Sequence, residues 1–181
     1  MLFFLYVVYM YIYKYYCLVG TSWSGSTRRG KSKENHQTVI VGNYDTKYGF
    51  FLKKRYLKYS NIIFLGGIYD INILNNLRFY CRYYFHGHSV GGTNPSLLEA
   101  MAAQSFIVAN DNIFNKTVLS NNALYFENTK SLIKIINDYK KQVEYKEKFV
   151  INNIERINKI YNWKNINKIY LSLVKQITLD G

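Results

Sequence analysis

The chain has 181 residues, 49% of them hydrophobic, which suits one packed domain with a tail and is too short for two full domains. Lys and Arg number 24 against 11 Asp and Glu, a net charge of +13 that points to anionic partners. No nucleic-acid motif accompanies the charge, and the lysines are scattered among Asn, Ile and Tyr, so nucleic acid is set aside as a partner. Cys17 and Cys81 lie far apart with no Cys-x-x-Cys, which excludes a disulfide scaffold and reads as free thiols in a reducing compartment.

Residues 1–19 are almost all apolar or Tyr, with Lys14 as their one charge. A membrane span wants about 20 uninterrupted apolar residues, and Lys14 leaves thirteen before it. A signal peptide wants leading basic residues and a small-residue cleavage site; neither is clear here. The segment reads either as an anchor or as a remnant strand over Tyr15 to Val19. Residues 20–36 are rich in Ser, Gly, Thr and basic side chains and read as a flexible linker. Within it Arg28, Arg29 and Lys31 are either phosphate contacts or a solvated basic loop.

From residue 37 to 139 strands and helices alternate. Gln37–Val41 reads as a strand, Tyr48–Tyr59 as an uneven helix, and Asn61–Leu65 as a strand closed by Gly66 and Gly67. Asp70 is an N-cap for a helix through Phe79. Tyr83–His86 is a strand entering a glycine-rich loop, and Asn94–Gln104 is the helix that follows. Phe106–Ala109 is a strand ending in a polar turn, Asn110 to Asn112. Asn115–Leu119 reads as one helical turn and Ala123–Phe126 as a short strand. Asn128 opens a helix with Leu132, Ile133, Ile136 and Tyr139 on one face. The alternation predicts an α/β fold: a Rossmann-like parallel sheet with helices on both faces. Residues 140–181 form a helical C-terminal tail, with Phe149, Val150, Ile154 and Ile157 on one apolar face. Ile166, Ile169, Tyr170, Leu173 and Val174 form a second.

Ligands of such sheets sit beyond the carboxyl ends of the strands, where the loop Gly87–Thr93 falls. Asn94 suits the N-cap and Pro95, the one proline of the chain, suits the first helical position. The corner aims a helix N-terminus, with its unpaired N–H groups and dipole, at whatever the loop surrounds, which favours an anion. Gly91 and Gly92 allow a ligand close to the backbone. Leu97, Leu98, Met101 and Ala102 form an inward stripe, and Glu99 lies off it, tilted back toward the loop mouth. A carboxylate there repels phosphate and accepts hydrogen bonds from sugar hydroxyls, so the corner suits a diphosphate flanked by hydroxyls, as in a nucleotide-sugar. The alternative is a solvated Glu on an ordinary amphipathic helix. His86 and His88 share one face of an extended segment. No further ligand is spaced to complete a metal site, and loop ordering or a hydrogen bond to the ligand is the better use.

Ser89 to Ala102 resembles the donor-site motif of retaining nucleotide-sugar glycosyltransferases with two Rossmann-like domains, the GT-B architecture, family 4. The run His86 to Ala100 looks like the subgroup of rhamnosyltransferases in bacterial surface-polysaccharide assembly. Val39–Asn43, Asn61–Gly66 and Tyr161–Trp163 resemble flanking segments of that family, so the likeness spans roughly residues 37 to 175. It implies one half of a GT-B fold, apparently truncated, that takes a dTDP-rhamnose-like donor and a glycan or lipid-linked acceptor. It implies no metal and no cofactor. The implied donor site comprises Gly91, Gly92, Thr93, Asn94, Ser96, Leu97, Glu99 and His88. Glu99 would hold ribose hydroxyls, and the amides of Ser96 and Leu97 would face the diphosphate. The family's usual first Glu, eight positions before the second, is Gly91 here, and His88 or Ser89 stands in for it. Cys17–Gly20 resembles the family's opening strand, but the helix expected after it is absent. The implied location is cytoplasmic, peripheral at the inner membrane face, with the positive charge meeting anionic lipid.

Overall fold

The computed structural model describes residues 16–21 and 36–179. The remainder of the apolar segment and of the basic linker lies outside the described residues. Among the described residues six strands form one sheet: β1 (Tyr16–Thr21), β2 (His36–Val41), β3 (Ile62–Gly66), β4 (Tyr83–His86), β5 (Ile107–Asn110) and β6 (Leu124–Phe126). Between and after them lie α1 (Lys47–Tyr56), α2 (Ile71–Tyr80), α3 (Pro95–Ala102), α4 (Ile113–Leu119) and α5 (Thr129–Asn137). The tail is three helices, α6 (Tyr139–Gln142), α7 (Lys146–Lys159) and α8 (Trp163–Leu179), with a 3-10 turn at Val143–Tyr145 between the first two.

The strand order is β3-β2-β1-β4-β5-β6, the order of a Rossmann-type sheet. The pairs β2–β3, β4–β5 and β5–β6 are parallel. The expected α/β class holds, with one departure at its centre. β1 runs antiparallel to both neighbours, with Leu18 opposite Val39 on one side and Tyr84 on the other. Parallel neighbours need a crossover, usually a helix. The sequence between Thr21 and His36 has no apolar periodicity to build one.

Helices cover both faces of β4 and β5, which explains why these strands are continuous apolar runs. On one face Tyr83, Phe85, Phe106 and Val108 pack with Leu132 and Ile135 of α5 and with Phe149 of α7. On the other, Tyr84, Ile107 and Ala109 pack with Leu97, Ala100 and Met101 of α3 and with Val118 and Leu119 of α4. The inward stripe of α3 differs in detail from the sequence pattern. Leu97 and Met101 are buried, but Ala100 and Ser96 join them, while Ala102 is exposed. The two small residues let the helix approach the sheet closely.

Local chemistry sets the helix ends. Asp70 accepts from the amides of Asn72 and Ile73, Asn112 from Asn115, and Asn128 forms a capping box with Ser131. The tail helix α7 docks through polar contacts as well as Phe149. Arg156 donates to the carbonyls of Thr117 and Val118 at 2.9 Å each, closing the C-terminal end of α4. Asn153, 1% exposed, donates to the Asn122 carbonyl at 3.0 Å. The apolar residues Ile169, Tyr170, Leu173 and Val174 of α8 remain exposed. Among the described residues no helix is long and apolar enough to cross a membrane.

Phe106 joins the sheet to the tail, its ring 5.3 Å from that of Tyr83 and 6.2 Å from that of Phe149. Phe106→Ala is expected to destabilise the fold by about 3–5 kcal/mol, read as a lowered midpoint in urea unfolding.

Candidate functional site

The strand β4 ends at His86, and residues 87–94 carry the chain to α3. Asn94 is extended, with φ −90° and ψ 121°, and its Oδ1 accepts from the Ser96 amide at 3.0 Å and from the Ser96 hydroxyl at 2.7 Å. Pro95 occupies the first helical position. The sequence therefore builds this corner locally, as an Asn cap followed by Pro.

The loop itself is open. Residues 89–93 are exposed, and a Cβ added at Gly91 or Gly92 would meet nothing within 4 Å. Gly91 has φ +120°, a conformation that L side chains rarely adopt, so glycine is required there by the backbone. The start of the loop is rigid. The carbonyl of His88 accepts from Asn112 Nδ2 at 2.8 Å and from Asn115 Nδ2 at 3.0 Å, and Asn115 also donates to the Asn110 carbonyl. The turn after β5 thus grips the loop after β4, which places two of the expected rim segments side by side. The ends of β2 and β3 meet through the Gly42 amide, which donates to the Gly66 carbonyl at 2.8 Å. Asp111, the acidic residue of the rim turn, is paired with Lys116 at 2.5 Å, which reduces its repulsion of an anion.

The structure changes which amides are available. The Ser96 amide donates to its own cap, and those of Leu97 and Leu98 to the Asn94 carbonyl at 3.0 and 3.2 Å. Ser96 and Leu97 are also buried, at 4% and 1% exposure. Among the described residues nothing accepts from the amides of Gly91, Gly92 and Thr93. The donors left to an anion at this corner are the loop amides, with the α3 dipole behind them.

Glu99 is neither fully solvated nor idle. Its Oε2 accepts from Nη2 of Arg78 at 2.6 Å. The Arg78 side chain is 2% exposed and that of Glu99 44%. Arg78 comes from the last turn of α2, and its Nη1 donates to Asn75 Oδ1 at 3.2 Å. Its backbone carbonyl accepts from Ser105 Oγ and Cys81 Sγ, each at 3.0 Å. Nothing in the α2 sequence marks this arginine as buried. The signal available was an arginine near the end of a helix preceding the site strand, and it identified no partner.

Tyr84 and His86 point to the α3 face, since the Tyr84 hydroxyl reaches the Ser96 carbonyl at 3.3 Å and the alternation of the strand puts His86 on the same side. The ring of His86 stacks on that of His88 at 4.5 Å and lies 6.4 Å from that of Tyr84. His86 is 1% exposed, and neither ring nitrogen has a hydrogen-bond partner among the described residues. Burial, with a smaller contribution from His88, pushes it down to about 3, so it is neutral at ordinary pH. Cys81 is a buried free thiol, pushed up to about 12 by burial, and is therefore not a nucleophile. Among the described residues no group of three or more His, Cys, Asp or Glu is placed to hold a metal.

No protein-family model and no curated protein sequence matches the chain. Solved structures do. Sucrose-phosphate synthase from Thermosynechococcus elongatus matches with a TM-score of 0.65 at 17% identity, over 79% of this chain and 39% of its own. HepE from Anabaena, solved in complex with UDP-glucose, matches with a TM-score of 0.63 at 16% identity, over 76% and 40%. The chain spans only that 39–40% of the length of either neighbour. At these identities the likeness is one of fold: the chain has the fold of a GT-B glycosyltransferase half-domain.

Two outcomes test this geometry. Glu99→Ala strips the buried Arg78 of its carboxylate and is expected to destabilise the protein by about 3 kcal/mol or less, since Glu99 is half-exposed; Glu99→Gln, which keeps an acceptor, should cost less in the same denaturation experiment. His86 binds a proton in the unfolded chain below its ordinary 6.5 and in the folded chain only near 3. Stability is therefore unaffected by this group above pH 6.5 and falls as the pH drops from there toward 3, by up to about 1.4 kcal/mol per pH unit. His86→Phe is expected to flatten that acid limb in a plot of Tm against pH.

Proposed function

We propose that the chain binds a nucleotide-sugar at the Gly87–Thr93 loop and serves as the donor half of a glycosyltransferase. The observation that carries this is the open loop, with its unaccepted amides at Gly91 to Thr93, set at the N-terminus of α3 on a GT-B half-fold. The amides and the helix dipole suit a diphosphate that gains charge as it leaves. Gly91, Gly92, Thr93 and Asn94 cradle the diphosphate and sugar, with Ser96 and Leu97 holding the turn behind them. Glu99 accepts from the hydroxyls of the nucleoside sugar, which in a dTDP donor means the 3′-hydroxyl alone, and His88 stands beside the transferred sugar in place of the missing first Glu. One neighbour was solved with UDP-glucose, which supports a nucleotide-sugar as the ligand class. The likeness of His86 to Ala100 to rhamnosyltransferases favours dTDP-rhamnose, with a growing glycan or lipid-linked acceptor on an anionic cytoplasmic membrane face. No metal or other cofactor enters the scheme.

We further propose the domain plan in which residues 37–139 hold the nucleotide-sugar, residues 140–181 are the accompanying helices, residues 1–19 are an apolar N-terminal segment whose end enters the sheet in β1, and residues 20–36 are a linker. A second reading is binding without turnover. The chain covers 39–40% of the length of either neighbour.

Titration calorimetry with dTDP-rhamnose and UDP-glucose tests the binding, and a transfer assay with a lipid-linked acceptor separates catalysis from binding alone. Glu99→Gln is expected to weaken the preferred donor by roughly tenfold, the worth of one hydrogen bond to a charged group. Unchanged affinity in a folded variant removes Glu99 from the site.

A further inference from the structure

We infer that Arg78 is a positioning residue that aims the Glu99 carboxylate and so sets the preference of this site for nucleotides bearing ribose hydroxyls. The inference rests on the donor-site assignment above. Its starting point is the asymmetry of the pair: the guanidinium side is 2% exposed and the carboxylate side 44%. A pair built only to hold two helices together has no need of an open carboxylate. Here one oxygen, Oε2, is held at 2.6 Å, which leaves the other as the acceptor available to a ligand.

The anchor on that carboxylate is itself fixed. Ser105 and Cys81 fix the Arg78 backbone through its carbonyl, and Asn75 holds its guanidinium at Nη1. Its planar fork therefore has a set direction, which a lysine ammonium would not reproduce. Glu99 alone is a flexible side chain on an exposed helix face. Tied through Oε2, its remaining oxygen is held before the ligand arrives, and the ordering cost of binding is lowered. The Glu99 carboxylate takes hydroxyl donors and repels misplaced phosphate. The pair would distinguish a nucleotide with a ribose hydroxyl from one without, although Arg78, being buried, touches neither.

The test compares UDP with 2′,3′-dideoxyuridine diphosphate by calorimetry on the full chain, in the wild type, Arg78→Lys and Asn75→Ala. The wild type should prefer UDP by roughly tenfold or more. Arg78→Lys should remove most of that preference while leaving affinity for the dideoxy nucleotide nearly unchanged. Asn75→Ala, which loosens the fork without removing its charge, should give a partial loss of the same kind and keeps the test open if Arg78→Lys fails to fold. Equal weakening of both nucleotides in the variants, or a fall in Tm with the preference intact, would make Arg78 a purely structural residue and overturn the inference. Equal binding of both nucleotides by the wild type overturns it as well. Failure of the wild type to bind either nucleotide is a different result, since it removes the donor site itself.

Discussion

The burial of β4 and β5 on both faces is the constraint from which the candidate site follows. Tyr83, Tyr84 and Phe85 are fully buried, as are Val108 and Ala109 beside them. With both faces covered, the strands cannot shift register without moving every side chain to the opposite layer. The two turns that leave their carboxyl ends are therefore brought together at fixed height. That is why Asn112, in the turn after β5, and Asn115, in the first turn of α4, can clamp the carbonyl of His88 in the loop after β4. The open glycine segment begins from a rigid base, and its exposed amides have a defined position.

The same burial explains the two polar features inside the core. Arg78 is tolerated at 1% exposure because its guanidinium finds Glu99 and Asn75, as a buried charge requires. His86 is tolerated because it is neutral and stacked between Tyr84 and His88. The first makes Glu99 part of the fold as well as of the candidate site. If the proposed site holds, stability and ligand preference are coupled at one carboxylate, and a variant at Glu99 must be judged on both. The second places a titratable ring beneath the loop without adding charge there near neutral pH.

Much of the scaffold could be read from local chemistry. Asp70, Asn94 and Asn128 all stand where a cap is needed, and each caps; Asn112, read as the end of a polar turn, proves to cap α4, which begins two residues before the expected Asn115. The runs at Tyr83 and Ile107 were continuous and apolar because both faces are covered. Misplacements arose where small or polar residues decide packing. Ala100 turned inward and Ala102 outward, since close approach of α3 to the sheet selects position over hydrophobicity. The direction of β1 was also hidden: the sequence shows a strand, but pairing direction depends on how the chain returns to the sheet.

The order of elements, the helix caps and the open loop were determined by the sequence alone, because caps, glycine conformations and apolar periodicity act over a few neighbouring residues. The burial of Arg78 against a carboxylate 21 positions away and the grip of Asn112 and Asn115 on His88 were decided only by the tertiary structure. These depend on side chains from different elements meeting at hydrogen-bond distance, and no local pattern records which distant segment will supply the partner.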